Sequence, residues 1–286
     1  MHKHFVSLAL ASALCAVPCL ADDNGDSSCA GLPSFAALKS ALSAATDAES
    51  SGLNMNMWGT IVNRDGIVCA VAFTGTSRGS QWPGSRVISA QKANTANAFS
   101  LDASAHSGVN GGALALSTAN LFAAVQPGGS LFGLQESNPV ATDAAYQGPS
   151  SKYGTATDPM VGQKIGGVNV FGGGLALYDS NNQIVGAVGV SGDTSCSDHN
   201  IAWRARHNLN LDHLLGAIPG VAGIFAGDTN HPDNIIYDIP AAVVTTQGNV
   251  GVSTTGFGHP MCLNNPPSAP AAVGKPPVAS GLPNVQ

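Results

Sequence analysis

Apolar residues along this chain recur at helical and strand spacings in an order that can be followed from one end to the other. Phe35, Leu38, Leu42 and Ala45 fall at three- and four-residue steps between Ser34 and Ser50, and Ser34 stands behind Pro33 as an N-cap, so a first amphipathic helix is predicted there. The stretch MNMWGTIVNRDGIVCAVAF is two runs of strand formers around Asp65-Gly66, which predicts a hairpin over 55–73. Met55 and Met57, two apart, face one side of it as packing residues. Val87, Ile88, Ala93, Ala96 and Phe99 place a second helix over 85–100, and ALALSTANLFAAV a third near 113–125, ended by Pro127-Gly128-Gly129. Residues 133–163 lack any period and read as a long excursion over the surface.

Beyond that excursion, VNVFGGGLALYDSNNQIVGAVGVS spans 168–191 and combines two short apolar runs with a crowd of glycines. Leu175–Tyr178 and Ile184–Val190, joined by the polar turn Asp179-Ser180-Asn181-Asn182, predict a second hairpin. Gly186 and Gly189 weaken a strand unless another element packs on the bare backbone, and Gly172–Gly174 mark a sharp bend or a close approach. Ser195 or Ser197 then caps a fourth helix with Ile201, Ala202 and Ala205 on one side. NIIYDIP adds an edge strand that Pro240 stops.

The two ends read differently from this interior. Residues 1–21 run from a basic start through an apolar stretch to Cys19-Leu20-Ala21, the pattern of a cleaved secretory signal peptide, which predicts a periplasmic or secreted protein. A domain over 22–264 follows, and the Pro-rich tail 265–286 is expected to be extended or disordered, without chemistry. Cys29, Cys69, Cys196 and Cys262 remain after cleavage, an even set that predicts two disulfides in any of three pairings. Charged residues are 10% of the chain and the formal net charge is −6, too acidic and too poor in basic clusters for a nucleic-acid partner. No later apolar run has the length of a membrane helix.

Several of these segments resemble the GlcG/HbpS family of haem-binding proteins, also seen as the C-terminal domain of PduO-type proteins. Lys92-Ala93-Asn94-Thr95-Ala96 is similar to that family's K-A-x-T-A helix, Phe171-Gly172-Gly173-Gly174 to its F-P-G-G turn, and 184–192 to its V-V-G-A-I-G-V-S-G strand. Ser197-Asp198 through Ile201-Ala202 follows the start of its next helix. The likeness covers most of 34–215 and leaves 133–163 and everything past 215 as additions. Gly172 replaces a usual proline and His199 a usual acidic residue. The resemblance implies an α+β fold, one antiparallel sheet of about five strands with helices packed against it, and assembly into a homo-oligomer. It also implies haem, or a similar flat molecule, as ligand, serving sequestration, redox sensing or haem breakdown.

On that reading haem lies in a groove between the second helix and the glycine turn, which requires residues 92–96 and 171–192 to be neighbours around a hollow. His106 is the candidate axial ligand, Arg86 and Lys92 are candidate anchors for the propionates, and Thr95, Phe171, Gly172 and Gly173 line the groove. His199, Trp203 and His207 recur at four-residue steps on one helix side, without the acidic third donor that a zinc site would need. Two other classes compete. A cofactor-free oligomeric binding or scaffold protein would use the glycines for packing alone. A serine hydrolase would use Ser89 and Lys92, which fit the S-x-x-K spacing of penicillin-recognising enzymes, although the companion K-T-G is absent.

Overall fold

The computed structural model describes residues 27–102, 114–214, 230–239, 253–262 and 279–286. Helix α1 spans Phe35–Asp47, strand β1 Trp58–Asn63, β2 Val68–Phe73 and α2 Ser85–Phe99. A short helix α3, Thr142–Ala145, lies within the irregular middle, followed by β3 Gly174–Tyr178, β4 Ile184–Ser191 and α4 Ser195–Asn208. Each boundary has a local cause. Ser34 accepts from the Ala37 amide to cap α1, and Thr194 accepts from Ser197 to cap α4, one residue ahead of the predicted serine. The turn between β1 and β2 is closed by Asn63, whose side chain accepts from the Asp65 and Ile67 amides while Gly66 takes a φ of +77°.

All strands are antiparallel in the order β2-β1-β4-β3, so two hairpins meet along β1 and β4. Successive residues of β1 point to opposite faces. Ile61 joins the apolar cluster of Leu38, Leu42, Ile201, Ala202 and Ala205 under α1 and α4, whereas Trp58 and Val62 join that of Val87, Ala90, Ala93 and Ala96 under α2. The sheet is thus covered on both faces, which explains why its strands read as continuous apolar runs instead of alternating ones.

The glycines of the second hairpin answer to this layering. Gly174 and Gly189 are register partners in β3 and β4. A methyl group on Gly189 would lie 1.9 Å from the Ser89 carbonyl oxygen, and one on Gly174 would lie 2.4 Å from that of Lys92. Both contacts are with helix backbone, so α2 rests on uncovered strand, and close packing rather than flexibility is what fixes these residues.

Four strands, not five, form the sheet among the described residues; NIIYDIP makes isolated bridges instead of a strand, among them Ile239 with Pro260. The predicted third helix is instead two 3-10 turns, Thr118–Leu121 and Ala123–Val125. The excursion over 133–163 sends Ala145, Asp158 and Met160 into the interior beside α2. Disulfides join Cys29 to Cys69 and Cys196 to Cys262. Of the Pro-rich tail, the last eight residues form neither helix nor strand but are packed: Leu282 and Val285 are buried, and Trp203 donates from its indole to the Pro283 carbonyl at 2.9 Å. The tail was expected to be extended or disordered; residues 265–278 lie outside the described residues, and over 279–286 buried apolar side chains and an indole bond hold the chain in place. The signal segment and His106 lie outside the described residues. No helix among the described residues is long and apolar enough to cross a membrane.

Replacing Gly189 by alanine should force α2 off the sheet and lower stability by about 1–3 kcal/mol or more, read as a shifted urea midpoint. Gly84→Ala, where an added methyl meets nothing within 4 Å, is the control and should leave the midpoint nearly unchanged.

Candidate functional site

Lys92 and Phe171-Gly172-Gly173 do come together. Packing of α2 on the glycines carries the Lys92 side chain across the end of β4, where Nζ donates to the Val190 carbonyl at 3.0 Å and to Asp198 Oδ2 at 2.7 Å. Its ammonium also lies 4.4 Å from the centre of the Phe171 ring. The other oxygen of Asp198 accepts from the Asp193 amide at 2.8 Å. Lys92 and Asp198 are both fully buried. Burial opposes either charge, lowering Lys92 and pushing Asp198 up to about 6 even against the pull of its partner.

This arrangement corrects the groove expected here. The space between the second helix and the glycine turn is occupied by the Lys92 side chain, and no propionate reaches its ammonium without displacing Asp198. Gly173 takes a φ of +116° and Gly172 would place a methyl 2.1 Å from the Ser195 carbonyl, so both permit the bend and the contact with α4. Thr95 accepts from the Asn169 amide at 2.9 Å and donates to Gln91, fixing the chain that leads into the turn. Arg86 sits at the far end of α2, buried, with Nε 2.9 Å from Asp158 and Nη1 2.7 Å from the Ala145 carbonyl, and anchors the excursion. It too faces no cleft. Ser89 is fully buried, bonded to Thr60 at 2.7 Å and to the Arg86 carbonyl, while Lys92 points to Asp198; the S-x-x-K spacing therefore assembles no nucleophile.

At the start of α4 lies a second cluster that no local spacing announced. Ser195 Oγ is 2.7 Å from His259 Nε2, and the Gly172 amide donates to the same hydroxyl at 2.6 Å. His259 Nδ1 is 2.6 Å from the Pro260 carbonyl. Sixty-four residues separate the pair. The nearest signal in the sequence was the cysteine count, because the Cys196–Cys262 disulfide joins the two segments.

The C-terminal end of α4 borders a surface groove. Ala44, Ala45 and Ala48 of α1, Arg204 and His207 of α4, and Leu282 and Pro283 of the tail enclose about 500 Å³. His207 Nδ1 lies 2.7 Å from the buried Asp212 carboxylate, and its side chain is 34% exposed. Its Nε2 has no hydrogen-bond partner among the described residues. Arg204 donates from Nη2 to the Gly281 carbonyl at 2.9 Å and has Nε 3.5 Å from Glu49. His199, one turn from Trp203, is instead buried, accepts from the Ile235 amide at 3.1 Å, and is lowered by burial to about 3.

A family model for HbpS-like haem-degrading proteins matches residues 34–207, from the cap of α1 to the last turn of α4. The chain belongs to that family. Among solved structures, this HbpS-like protein is similar to the Klebsiella pneumoniae protein ORFY, with 24% identity over 62% of this chain and 90% of that one and a TM-score of 0.39. It is also similar to PduOC, solved as a haem complex, with 21% identity over 62% and 92% of the two chains and a TM-score of 0.40. No curated protein matches it in sequence.

Two outcomes follow from the buried groups of this HbpS-like protein. Lys92→Met leaves Asp198 buried without its cation and should cost about 3–5 kcal/mol, while adding Asp198→Leu should restore much of that in chemical unfolding. Burial also lowers His259 to about 4 from 6.5, as it lowers His199 to about 3, so unfolding releases two imidazoles that take up protons below pH 6.5. Asp198, raised from 3.8 to about 6, acts oppositely as one group, giving a net uptake of about one proton on unfolding between pH 4 and 6. The urea midpoint should therefore fall as pH is lowered from 6.5 to 4; a rising midpoint would contradict these environments.

Proposed function

We propose that this protein binds haem in the groove between α1, the end of α4 and the C-terminal segment, with His207 as axial ligand. The observation that carries the reading is the state of His207. A carboxylate only accepts, so the Asp212 contact places a proton on Nδ1, and His207 lines the groove with Nε2 free of any partner among the described residues. Metal-bound histidines are oriented in this way by a carboxylate on the opposite nitrogen.

The remaining residues fit a flat apolar macrocycle with two carboxylates. Ala44, Ala45 and Ala48 form a floor without bulky side chains, Leu282 and Pro283 supply an apolar wall, and Arg204 keeps further N–H donors at the rim for a propionate. A volume of about 500 Å³ lies within the range of small-molecule and cofactor sites. Bound haem would supply an iron centre for redox or oxygen chemistry. Membership of a family described as haem-degrading supports the ligand. The two disulfides accord with the export predicted by the N-terminal segment. Sequestration within a homo-oligomer, redox sensing and haem breakdown are the finer roles this reading allows.

Titrating the full chain with haemin should sharpen the Soret band, and His207→Ala should abolish the change. Asp212→Asn should weaken affinity about 10–100-fold. Loss of the band in His106→Ala with wild-type behaviour in His207→Ala would overturn the groove, returning the ligand to His106. No spectral response in the wild-type protein would favour the cofactor-free scaffold.

A further inference from the structure

The cluster at the start of α4 has no part in haem binding at the other end of that helix, yet its atoms are arranged for proton transfer. A carbonyl oxygen only accepts, so the 2.6 Å contact with Pro260 fixes the His259 proton on Nδ1. Nε2 then carries the lone pair, and the 2.7 Å contact is a hydrogen bond donated by Ser195 Oγ. This is the tautomer a general base needs. The Phe122 ring packs 4.8 Å from the imidazole, and burial keeps the ring neutral down to about pH 4.

Three further features bear on the hydroxyl. The Gly172 amide donates to Ser195 Oγ at 2.6 Å and fixes the position of the hydroxyl. Ser195 is the first residue of α4, and its own N–H meets no acceptor among the described residues, leaving a donor beside the nucleophile at the positive end of the helix. The disulfide from Cys196 to Cys262 ties the residue after the serine to the segment carrying the histidine, so the spacing of the pair is held covalently. Ser195 is half-buried, unlike the fully buried Ser89, and the residues next in the chain to its two partners are apolar: half-buried Phe171 beside Gly172, and half-buried Pro260 and 41%-exposed Met261 after His259.

We propose that Ser195 is a nucleophile activated by His259 and that the pair hydrolyses small esters with apolar acyl groups. Ser195 Oγ bonds to the ester carbonyl carbon as its proton passes to His259 Nε2. The tetrahedral oxyanion collapses, the bond to the alcohol oxygen breaks, and that oxygen takes the proton from His259, leaving acyl-serine and free alcohol. Water repeats the sequence on the acyl-serine, releasing the acid and restoring the hydroxyl. No cofactor or further reactant enters.

The test uses the purified full chain with its disulfides intact, treated with p-nitrophenyl butyrate and, separately, with an alkyl fluorophosphonate. The expected result is p-nitrophenol release together with a fluorophosphonate adduct on the peptide containing Ser195. Ser195→Ala should lose both, Ser197→Ala should keep both, and His259→Gln should slow acylation about 10²–10⁴-fold while the circular dichroism spectrum is unchanged. An adduct confined to other residues, no adduct at saturating probe, or undiminished hydrolysis in Ser195→Ala would overturn the proposal. If Ser195→Ala does not fold, the position of the adduct in the wild-type protein decides the question alone.

Discussion

The buried pair of Lys92 and Asp198 is the contact on which the two halves of this fold depend. Its ammonium leaves α2, passes the end of β4 and meets the first turn of α4, so one side chain fastens the helix on one face of the sheet to a helix on the other. Two charges taken from water are costly unless every lone pair and proton is used. Here Val190 and the Phe171 ring receive the rest of the ammonium, and the Asp193 amide occupies the second carboxylate oxygen. The glycines make that geometry possible, because only an uncovered strand lets α2 lie close enough for a lysine to span the layer.

With α4 fixed in this way, its two ends stand in different surroundings. The first turn presents Ser195 to His259, and the last turn presents His207 to an apolar groove. At both ends the family core supplies one partner and an addition beyond residue 207 supplies the other. His259, Asp212, Leu282 and Pro283 all lie outside the matched span of 34–207. The additions are held by bonds of their own: Arg206, buried against Trp203, pairs with Asp233 at 2.6 Å, and the Gln286 amide donates to the Asp212 carbonyl at 3.1 Å.

How much of this could be read beforehand depended on the range of the interaction. Ser34, Asp65-Gly66 and the apolar spacing of 85–99 announce two helices and a hairpin because caps, turns and helical periods act over a few residues. The segment 113–125 has the same apolar content, yet it holds 3-10 turns at 118–121 and 123–125, where the Thr118 hydroxyl donates to the Phe171 carbonyl and accepts from the Gly174 amide, partners 53 and 56 residues away. In the sequence alone, Arg86 and Lys92 are candidate anchors for propionates. Their partners, Asp158 and Asp198, lie 72 and 106 residues away, and no local pattern distinguishes a cation waiting for a ligand from one already neutralised.

The sequence by itself determined the two hairpins and the helices α1, α2 and α4, the family, and the need for bare backbone in the second hairpin, because each is set by residue type at short spacing. Tertiary structure alone decided which cysteines join, which histidines are sealed in and which one faces a groove, and that a serine would meet an imidazole across 64 residues. Those outcomes depend on distance in space, which chain spacing does not encode until the layers have packed.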